Sequence, residues 1–494
     1  MNSHAVVIGA GLGGLECAYI LAKNGMRVTV LEQDACIGGC LQSFRRGNTL
    51  FDTGFHYVGG LREGESLYPL FRYFNLLNLP WQALDEACFD EVVIGDNRYA
   101  FAVGHERFVE TLAEAFPTQR ESLRTYTCFL KDVGEHIYDA FLPRNATDFS
   151  GERLRTFYSS SLFARSAYDY LAQTVQDPLL RQVLSGTSLK MELRRDSLPL
   201  YVFAQINNSF IQSAWRLRGG GQQIADHLAA DIRSMGGDVR TKAGVDAIVE
   251  QGGCARGVRL MDGEFIAADT VIADIHPQEV VRLMADCQSV RKVFRRRIQA
   301  LEDTIGMFTV NICLKPDVLP YENRNIFVHR VGTDVWELHD GRVNSVMVSF
   351  YPDQPAVDLL VPMRWSEVAA WADKPAGKRG EDYVEFKNRK VDECLQLVSH
   401  RLPALNDAIH RVYTSTPITY RRYTRTHEGS AFGIRKDCRS PLTTVLTPKT
   451  PLPNVLMTGQ NLNLHGLLGV SMTSVLTAAE IIGMETIVSQ IKHL

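Results

Sequence analysis

Three glycines near the start of the chain have the spacing of a phosphate-binding turn. Gly9, Gly11 and Gly14 form the pattern G-x-G-x-x-G directly after the short apolar run at residues 5–8. In this pattern the first glycine makes a tight turn, the second lets the backbone approach a pyrophosphate, and the third lets a helix pack closely on the strand. The helix N-terminus then offers free N–H groups and partial positive charge to the phosphate oxygens.

The elements around these glycines predict a complete nucleotide-binding unit. Residues 5–8 indicate a buried parallel strand, residues 15–23 a helix, and residues 28–31 a second strand that ends at Glu32, 18 residues after Gly14. Glu32 can accept hydrogen bonds from the ribose hydroxyls of an adenosine. The alternative is a glycine-rich turn without a ligand. Strand, glycines, helix, strand and acid within about 30 residues favour the nucleotide site.

Composition limits the classes of protein that fit the chain. Its 494 residues are 45% hydrophobic and 22% charged, which indicates a globular protein of two or three domains. A net charge of -3 argues against a nucleic-acid partner bound by bulk charge. The ten cysteines contain no C-x-x-C pair and predict reduced thiols in a cytoplasmic protein. Because no run of about 18 apolar residues occurs, we expect no spanning helix, and a peripheral membrane contact stays open.

A second glycine pair follows the second predicted strand. Gly38 and Gly39 are followed by FDTGFHYVGG at residues 51–60, which predicts loops whose backbone lies close to a ligand. A domain that binds only a nicotinamide dinucleotide does not need this second pair. A flavin protein does, because the pyrophosphate and ribityl chain of FAD continue past the second strand.

These residues together resemble a known superfamily of flavoproteins. Gly9, Gly11, Gly14, Glu32, the pair at 38–39 and the segment at 51–60 resemble the FAD-dependent amine oxidase and phytoene desaturase superfamily, and most of all its carotenoid isomerase and retinol saturase branch. The resemblance implies an FAD cofactor and an α/β fold. A Rossmann-like FAD-binding domain, formed by residues 1–75, 215–290 and 445–494, would carry an inserted α+β substrate domain formed by residues 76–214 and 291–444.

The resemblance also assigns cofactor contacts far from the first motif. Val245 takes the place of a residue that holds the adenine side through its backbone. Gly459 and Gln460 end a predicted strand, and Gly469 and Val470 stand at the start of a helix expected over residues 470–482. That helix N-terminus would face the flavin pyrimidine ring. The superfamily usually has an acid at the position of Gln460, and glutamine can still bond a ribityl hydroxyl or phosphate.

Saturases and desaturases of this kind exchange a hydride between flavin and a carbon of an apolar chain, so a proton donor near the second carbon would help. His56 is the first candidate, because it lies in the segment expected to pass the flavin. Tyr57, Tyr420 and Tyr423 follow. The alternative for His56 is a structural histidine bonded to the turn at residues 59–60. The remaining histidines have no metal-ligand spacing, so we expect no metal.

The substrate side gives weaker patterns. Residues 67–81 are dense in aromatic residues and leucine, which indicates a core helix or, alternatively, the wall of an apolar tunnel or membrane-entry lip. Residues 307–314 and 346–351 predict strands, and residues 168–184 and 387–402 predict helices.

The resemblance implies an oxidoreductase acting on carbon–carbon bonds of a lipophilic isoprenoid or polyene. Reduction of the retinol saturase type is the first expectation, with an electron donor or acceptor that the sequence does not identify. Desaturation and cis–trans isomerisation are alternatives. An amine oxidase is another, although its usual flavin-side lysine and aromatic cage have no clear place in this sequence. A non-enzyme alternative is a prenyl-binding protein of the GDP-dissociation-inhibitor type, in which the dinucleotide glycines are degraded.

Overall fold

The computed structural model describes residues 3–142, 161–337 and 341–493. The helices, numbered in chain order, are α1 (Leu12–Lys23), α2 (Tyr68–Tyr73), α3 (His105–Ala115), α4 (Arg120–Phe141), α5 (Ser161–Ala164), α6 (Ala167–Thr174), α7 (Pro178–Leu184), α8 (Leu200–Gln212), α9 (Gln222–Ser234), α10 (Pro277–Leu283), α11 (Lys292–Gln299), α12 (Glu381–Val398), α13 (Leu405–Ala408), α14 (Pro417–Thr424), α15 (Pro441–Thr444), α16 (Gly466–Ile482) and α17 (Met484–Lys492).

The strands, also in chain order, are β1 (His4–Ile8), β2 (Arg27–Leu31), β3 (Ser43–Arg46), β4 (Thr49–Asp52), β5 (Val58–Gly59), β6 (Trp81–Ala83), β7 (Asp90–Ile94), β8 (Asn97–Phe101), β9 (Ala214–Leu217), β10 (Asp238–Arg240), β11 (Val245–Gln251), β12 (Cys254–Leu260), β13 (Phe265–Ala267), β14 (Thr270–Ala273), β15 (Gly306–Leu314), β16 (Asn325–His329), β17 (Ser345–Phe350), β18 (Ala356–Met363), β19 (Ile409–Ser415) and β20 (Val455–Met457).

A five-stranded parallel sheet in the order β10-β2-β1-β14-β20 forms the first half of the molecule. Successive side chains of a strand point to opposite faces. Ala5 and Val7 of β1 therefore pack in one core with α1, α9 and α16, whereas Val6 and Ile8 pack in another with β11, β12 and α10. Because β1 is buried on both of its faces, its sequence is a continuous apolar run. The predicted mixed α/β fold with a parallel sheet is confirmed.

The second half is a seven-stranded sheet in the order β19-β15-β18-β17-β16-β7-β8. Its pairs are antiparallel except for the parallel pair β16–β7. Phe308 and Val310 on one face of β15 share a core with Phe386 of α12. Met307, on the opposite face, shares a smaller cluster with Leu360. The strands of this sheet come from residues 76–214 and 291–444, and those of the parallel sheet from the other three segments.

Several predicted elements occur with shifted bounds. The helix predicted at residues 168–184 is two helices, α6 and α7, because Asp177 caps a new helix through the N–H groups of Leu179 and Leu180. The aromatic segment at residues 67–81 forms the six-residue α2 followed by a turn and β6, and its buried side chains belong to the main core. The core interpretation of that segment is therefore confirmed.

Candidate functional site: a cavity between the two sheets

The glycine turn and β14 pack against each other at one end of a large cavity. Gly9 has a φ of 96°, and a Cβ atom there would lie 2.5 Å from the carbonyl oxygen of Asp274. A Cβ atom at Gly11 would lie 2.6 Å from the Asp274 carboxylate, and one at Gly14 would collide with the Gly9 carbonyl oxygen. Side chains at these positions would force the turn, α1 and the end of β14 apart, whereas the bare backbone leaves in front of α1 the concave surface that a pyrophosphate requires.

The acid at the end of β2 is held by backbone bonds. Glu32 accepts hydrogen bonds from the backbone N–H of Ala10 at 3.1 Å and of Asp34 at 2.9 Å, one on each carboxylate oxygen. Burial raises the pKa of the Glu32 carboxyl. Each carboxylate oxygen has a further lone pair. Glu32 lines the cavity, so it can accept a hydroxyl there while its orientation stays fixed by the backbone.

A second acid at this end was missed by the sequence analysis. Asp274 follows β14 as Glu32 follows β2, and its carboxylate accepts a hydrogen bond from the Gly14 N–H at 2.8 Å. Burial raises the pKa of the Asp274 carboxyl to about 6, and the neighbouring charge of Glu32 acts in the same direction. The signal in the sequence was an acid directly after a buried apolar strand, at residues 270–274.

The cavity has a volume of about 730 Å³ and reaches both sheets. The predicted cofactor-binding residues that line it are Gly9, Gly11, Glu32, Gly38, Gly39, Val245, Gln460 and Val470. Gly14, Gly459 and Gly469 lie behind this surface, where each allows close approach of a neighbouring residue. The backbone N–H of Gly38 donates to the Ala10 carbonyl at 2.7 Å, which brings the second glycine pair against the first motif.

The helix predicted at residues 470–482 begins earlier than predicted. α16 starts at Gly466 rather than near Val470, so Gly469 lies inside its first turn, and a Cβ atom there would collide with the Leu464 carbonyl. Gly466, Leu467 and Val470 line the cavity. The N-terminus of α16 therefore faces the same space as the N-terminus of α1, and both carry partial positive charge.

His56 lies deep in the cavity with an unsatisfied ring nitrogen. Its Nδ1 is 4.0 Å from Oδ2 of Asp358, and its buried Nε2 has no hydrogen-bond partner. Burial, and then the charge of Arg216, lowers the pKa of His56 to about 4, so the imidazole is neutral at pH 7. Within the described residues no hydrogen bond joins His56 to the turn at residues 59–60, the contact that the structural alternative predicted.

The three tyrosine candidates have different environments. Tyr57 donates its hydroxyl hydrogen to Asp90 at 2.9 Å, and burial raises the pKa of Tyr57. The Tyr420 hydroxyl is 2.8 Å from Thr309 Oγ1 and also bonds the carbonyl of Thr53, and burial raises the pKa of Tyr420 to about 12. Tyr423 is 51% exposed. All three tyrosines line the cavity.

Four apolar side chains and a cation line the end of the cavity next to the seven-stranded sheet. Leu189, Met307, Met347 and Leu360 line it, from the seven-stranded sheet and the turn before α8. Lys190 also lines it, with its Nζ 2.8 Å from Oδ2 of Asp90. The sequence analysis named none of these residues as site residues, because they meet only through the topology of the second sheet.

The residues present fit a flavin dinucleotide. Two helix N-termini and a glycine-lined surface face one end of the cavity, an acid held by backbone N–H groups lines the same end, and an apolar chamber follows. Among the described residues no three His, Cys, Asp or Glu side chains form a group that could hold a metal ion. Nor does that part of the chain contain a helix with the length and apolar character needed to cross a bilayer.

Comparison with known proteins agrees with this site. Residues 12–482 match the family of flavin-containing amine oxidoreductases, and the chain belongs to that family. It is 27% identical to the all-trans-retinol 13,14-reductase of Rattus norvegicus, over 97% of this chain and 85% of that protein. It is 24% identical to the chloroplastic prolycopene isomerase of Daucus carota, over 86% of this chain and 71% of that protein. The predicted resemblance is thereby confirmed.

Among solved structures, a putrescine oxidase with putrescine bound has the same fold. Its TM-score is 0.65 at 15% sequence identity, and the match covers 98% of this chain and 99% of that one. At this identity the likeness concerns the fold alone. Family and fold together make the protein a flavin-dependent oxidoreductase.

Proposed function

We propose that the protein is an FAD-dependent oxidoreductase that reduces a carbon–carbon double bond of an apolar isoprenoid or polyene, as an all-trans-retinol 13,14-reductase does. The observation that carries the proposal is the single cavity that joins the glycine turn to the apolar chamber of Leu189, Met307, Met347 and Leu360. An apolar chain in this chamber would gain its binding energy from burial of its surface. The similarity to retinol reductases supports the choice of substrate class.

FAD is the form of flavin that the chain is built to hold. Riboflavin phosphate has no adenosine to place beside Glu32 and Val245, which line the cavity. We propose that these two residues face the adenosine and that Gly11, Gly38 and Gly39 face the pyrophosphate. FAD, when bound, supplies hydride transfer, and the protein supplies orientation and electrostatics.

His56 is our candidate for direct contact with the reacting groups. Its buried Nε2 has no partner in the structure, and a buried polar atom of this kind is satisfied by a ligand or by water. Because the imidazole is neutral at pH 7, we propose that it hydrogen-bonds the flavin or the substrate. We expect His56→Ala to keep its flavin and to lose about tenfold in turnover, the usual value of one net hydrogen bond. Unchanged turnover would remove His56 from the mechanism.

Desaturation and isomerisation of a carotenoid remain the second candidate, supported by the similarity to prolycopene isomerase. The same flavin site can run in either direction, and the external electron partner decides which. An amine oxidase fits less well, because the chamber wall of Leu189, Met307, Met347 and Leu360 is apolar and full-length relatives carry the names of retinol reductases. Membership of the flavin-containing family, with the glycine turn intact, decides against the prenyl-binding alternative.

An absorption experiment tests the proposal. The purified protein should show two flavin bands, and heat-released cofactor should chromatograph as FAD rather than FMN. Under anaerobic conditions dithionite should bleach the bands, and a retinoid or carotenoid should restore them. Bands that bleach when the polyene meets the oxidised protein would indicate desaturation instead. A protein without flavin bands, before and after added FAD, would contradict the proposed function.

A lipophilic substrate implies exchange with a lipid surface, and we propose that α11 contacts it. Arg291, Lys292, Arg296 and Arg297 are exposed around Val293, which is 77% exposed. α11 packs on α10, which lines the cavity through Gln278 and Glu279. Cations around an exposed apolar residue suit the surface of an anionic bilayer, where each adds about 1 kcal/mol.

Vesicle sedimentation tests this contact. The protein should bind vesicles of mixed phosphatidylcholine and phosphatidylserine more strongly than vesicles of phosphatidylcholine alone. The double substitution Arg296→Glu and Arg297→Glu should abolish the difference. Arg45→Glu with Arg46→Glu is the matched control, because these two arginines are also adjacent and exposed. An equal loss of vesicle binding in both variants, or no vesicle binding by the wild type, would count against contact of α11 with the lipid surface.

A further inference from the structure

A buried lysine stands beside the apolar wall of the chamber. Lys190 ends the 3-10 turn Ser188–Lys190, and its side chain is 4% exposed. Its Nζ lies 2.8 Å from Oδ2 of Asp90 and 4.1 Å from the ring centroid of Phe210. Phe210 and Tyr57 line the cavity beside it. Burying an ammonium is costly unless it is paired, so its place in a substrate chamber requires an explanation.

The partner of Lys190 is held independently of it. The Asp90 side chain is fully buried and accepts hydrogen bonds from the Tyr57 hydroxyl at 2.9 Å and from Nδ2 of Asn325 at 3.0 Å. Asp90 and Asn325 pair in register on β7 and β16, and Arg216 Nη2 bonds Oδ1 of Asn325 at 2.6 Å. The carboxylate therefore keeps two hydrogen bonds whether or not Lys190 carries a proton.

The two buried tyrosines and the histidine of the chamber are poor sources of a proton. The Tyr57 hydroxyl hydrogen is committed to Asp90, and the Tyr420 hydroxyl is bonded to Thr309 and Thr53. Burial raises the pKa of both tyrosines. His56 is neutral at pH 7 and would become an imidazolate if it gave up its proton.

We propose that Lys190 is the catalytic acid of the reduction. The inference rests on the proposed function, in which reduced flavin is the source of the hydride and its electron pair, delivered to one carbon of the double bond. An N–H bond of the Lys190 ammonium breaks, and its proton forms the new C–H bond at the adjacent carbon. The amine is left neutral and regains its proton from solvent. In desaturation the same amine accepts the proton.

Electrostatics favour this assignment. Burial lowers the pKa of Lys190, although the charge of Asp90 opposes the shift. A buried ammonium is therefore a stronger acid than a free lysine, and the neutral amine left after transfer is the form that burial prefers. The aromatic ring of Phe210 stabilises the cation before transfer.

Two substitutions separate proton donation from charge. Lys190→Arg keeps the cation beside Asp90 but replaces the acid with one that does not deprotonate in proteins. Lys190→Met removes both the positive charge and the proton donor. The experiment mixes the dithionite-reduced holoprotein with a polyene under anaerobic conditions and follows the return of flavin absorbance. We expect both variants to slow this return by about 100-fold, the lower range for loss of a general acid.

Four further readouts identify the step that is lost. Flavin content, and reoxidation of the reduced flavin by ferricyanide, should stay at wild-type values in both variants because neither needs a proton at carbon. The wild-type rate should fall as the pH rises and Lys190 deprotonates. The rates of the two variants should not show this fall. Added ammonium ion should restore part of the rate to Lys190→Met, whose side chain lacks only the terminal nitrogen position of lysine.

Each outcome decides the inference. Lys190→Arg at the wild-type rate would show that charge suffices and would overturn it. Lys190→Met could fail to fold because Asp90 loses its cation. In that case Lys190→Arg and the double substitution Lys190→Met with Asp90→Asn test whether Lys190 donates the proton. A wild-type protein that no polyene reoxidises contradicts the proposed function and the inference with it. Reoxidation at full rate in wild type and variants contradicts the inference alone.

Discussion

The two ends of the cavity are built by different means. At the glycine end, backbone atoms and missing side chains form the surface, and Gly9, Gly11 and Gly38 come from one stretch of 30 residues. At the apolar end, side chains form the surface, and Leu189, Met307 and Leu360 come from three distant segments. In the proposed function the first end recognises a phosphate chain by shape, and the second accepts any apolar chain that fits.

The difference indicates which part of the molecule tolerates change. A backbone cradle has no alternative arrangement when a Cβ atom enters it, so one substitution removes the ligand. A side-chain wall can lose or gain a methylene and still enclose an apolar substrate, with a change in affinity and selectivity. Family members can therefore share the glycine end and differ at the apolar end.

The largest effect should come from the glycine turn. We expect Gly9→Ala to lower FAD affinity by at least about 100-fold, because the new Cβ would press on the Asp274 carbonyl and the residue would be strained at a φ of 96°. Gly263→Ala is the matched control, since Gly263 has a φ of 94° and open space around it. Titration of the apoprotein with FAD measures both. Equal loss in the two variants would mean that backbone strain alone is responsible.

A smaller effect is expected from the acid at the same end. Glu32→Ala should weaken FAD binding by about 30-fold, the value of one hydrogen bond to a charged group. Glu32→Gln keeps one carbonyl acceptor and should lose less. Full FAD occupancy of the Glu32→Ala protein after dialysis would show that the ribose role assigned to this residue is wrong.

The apolar end should respond in substrate binding alone. We expect Met307→Ala to raise the KM for a polyene by about tenfold and to leave the flavin bands unchanged, because it removes apolar surface from the chamber wall. Val310→Ala is the control on the other face of the same strand, where the side chain packs in the core with α12. That control should lower the melting temperature without changing KM. A KM change of equal size in both would contradict the assignment of the two faces.

The smallest effect is a pH dependence of FAD binding. The pKa of Asp274 is raised to about 6, and a bound pyrophosphate would raise it further, so binding takes up a proton. FAD affinity should fall by about threefold as the pH rises from 6 to 7.5. Asp274→Asn should flatten this dependence. An affinity that rises with pH in the wild type would place the pyrophosphate away from Asp274.

The glycine end could be predicted from the sequence because its geometry is local. Gly9, Gly11 and Glu32 lie within one strand-helix-strand unit, and the positive φ of Gly9 is a requirement that only glycine meets without strain. The start of α16 was predicted four residues late, because the helix begins at Gly466, a residue that favours turns elsewhere. Helix bounds depend on such capping and are the weakest part of a sequence prediction.

The apolar end could not be predicted in the same way. Lys190 has no neighbour in the sequence that marks it, and its importance depends on Asp90, which is brought to it by the parallel pairing of β7 with β16. Met307 was predicted to lie in a strand. Which face of that strand meets the chamber depends on the packing of α12 against the other face. Side-chain sites assembled across a sheet need the topology before they can be recognised.

The packing of α1 against α16 has a consequence for biosynthesis. Glu16 of α1 is bonded to Ser471 of α16 at 2.6 Å across 455 positions of the chain, and β20 adds the last strand to the parallel sheet. The ribosome makes the glycine turn first and these partners last. We therefore expect a nascent chain to hold no flavin until almost all of it has been translated, so that cofactor loading follows synthesis and free FAD acts late in maturation.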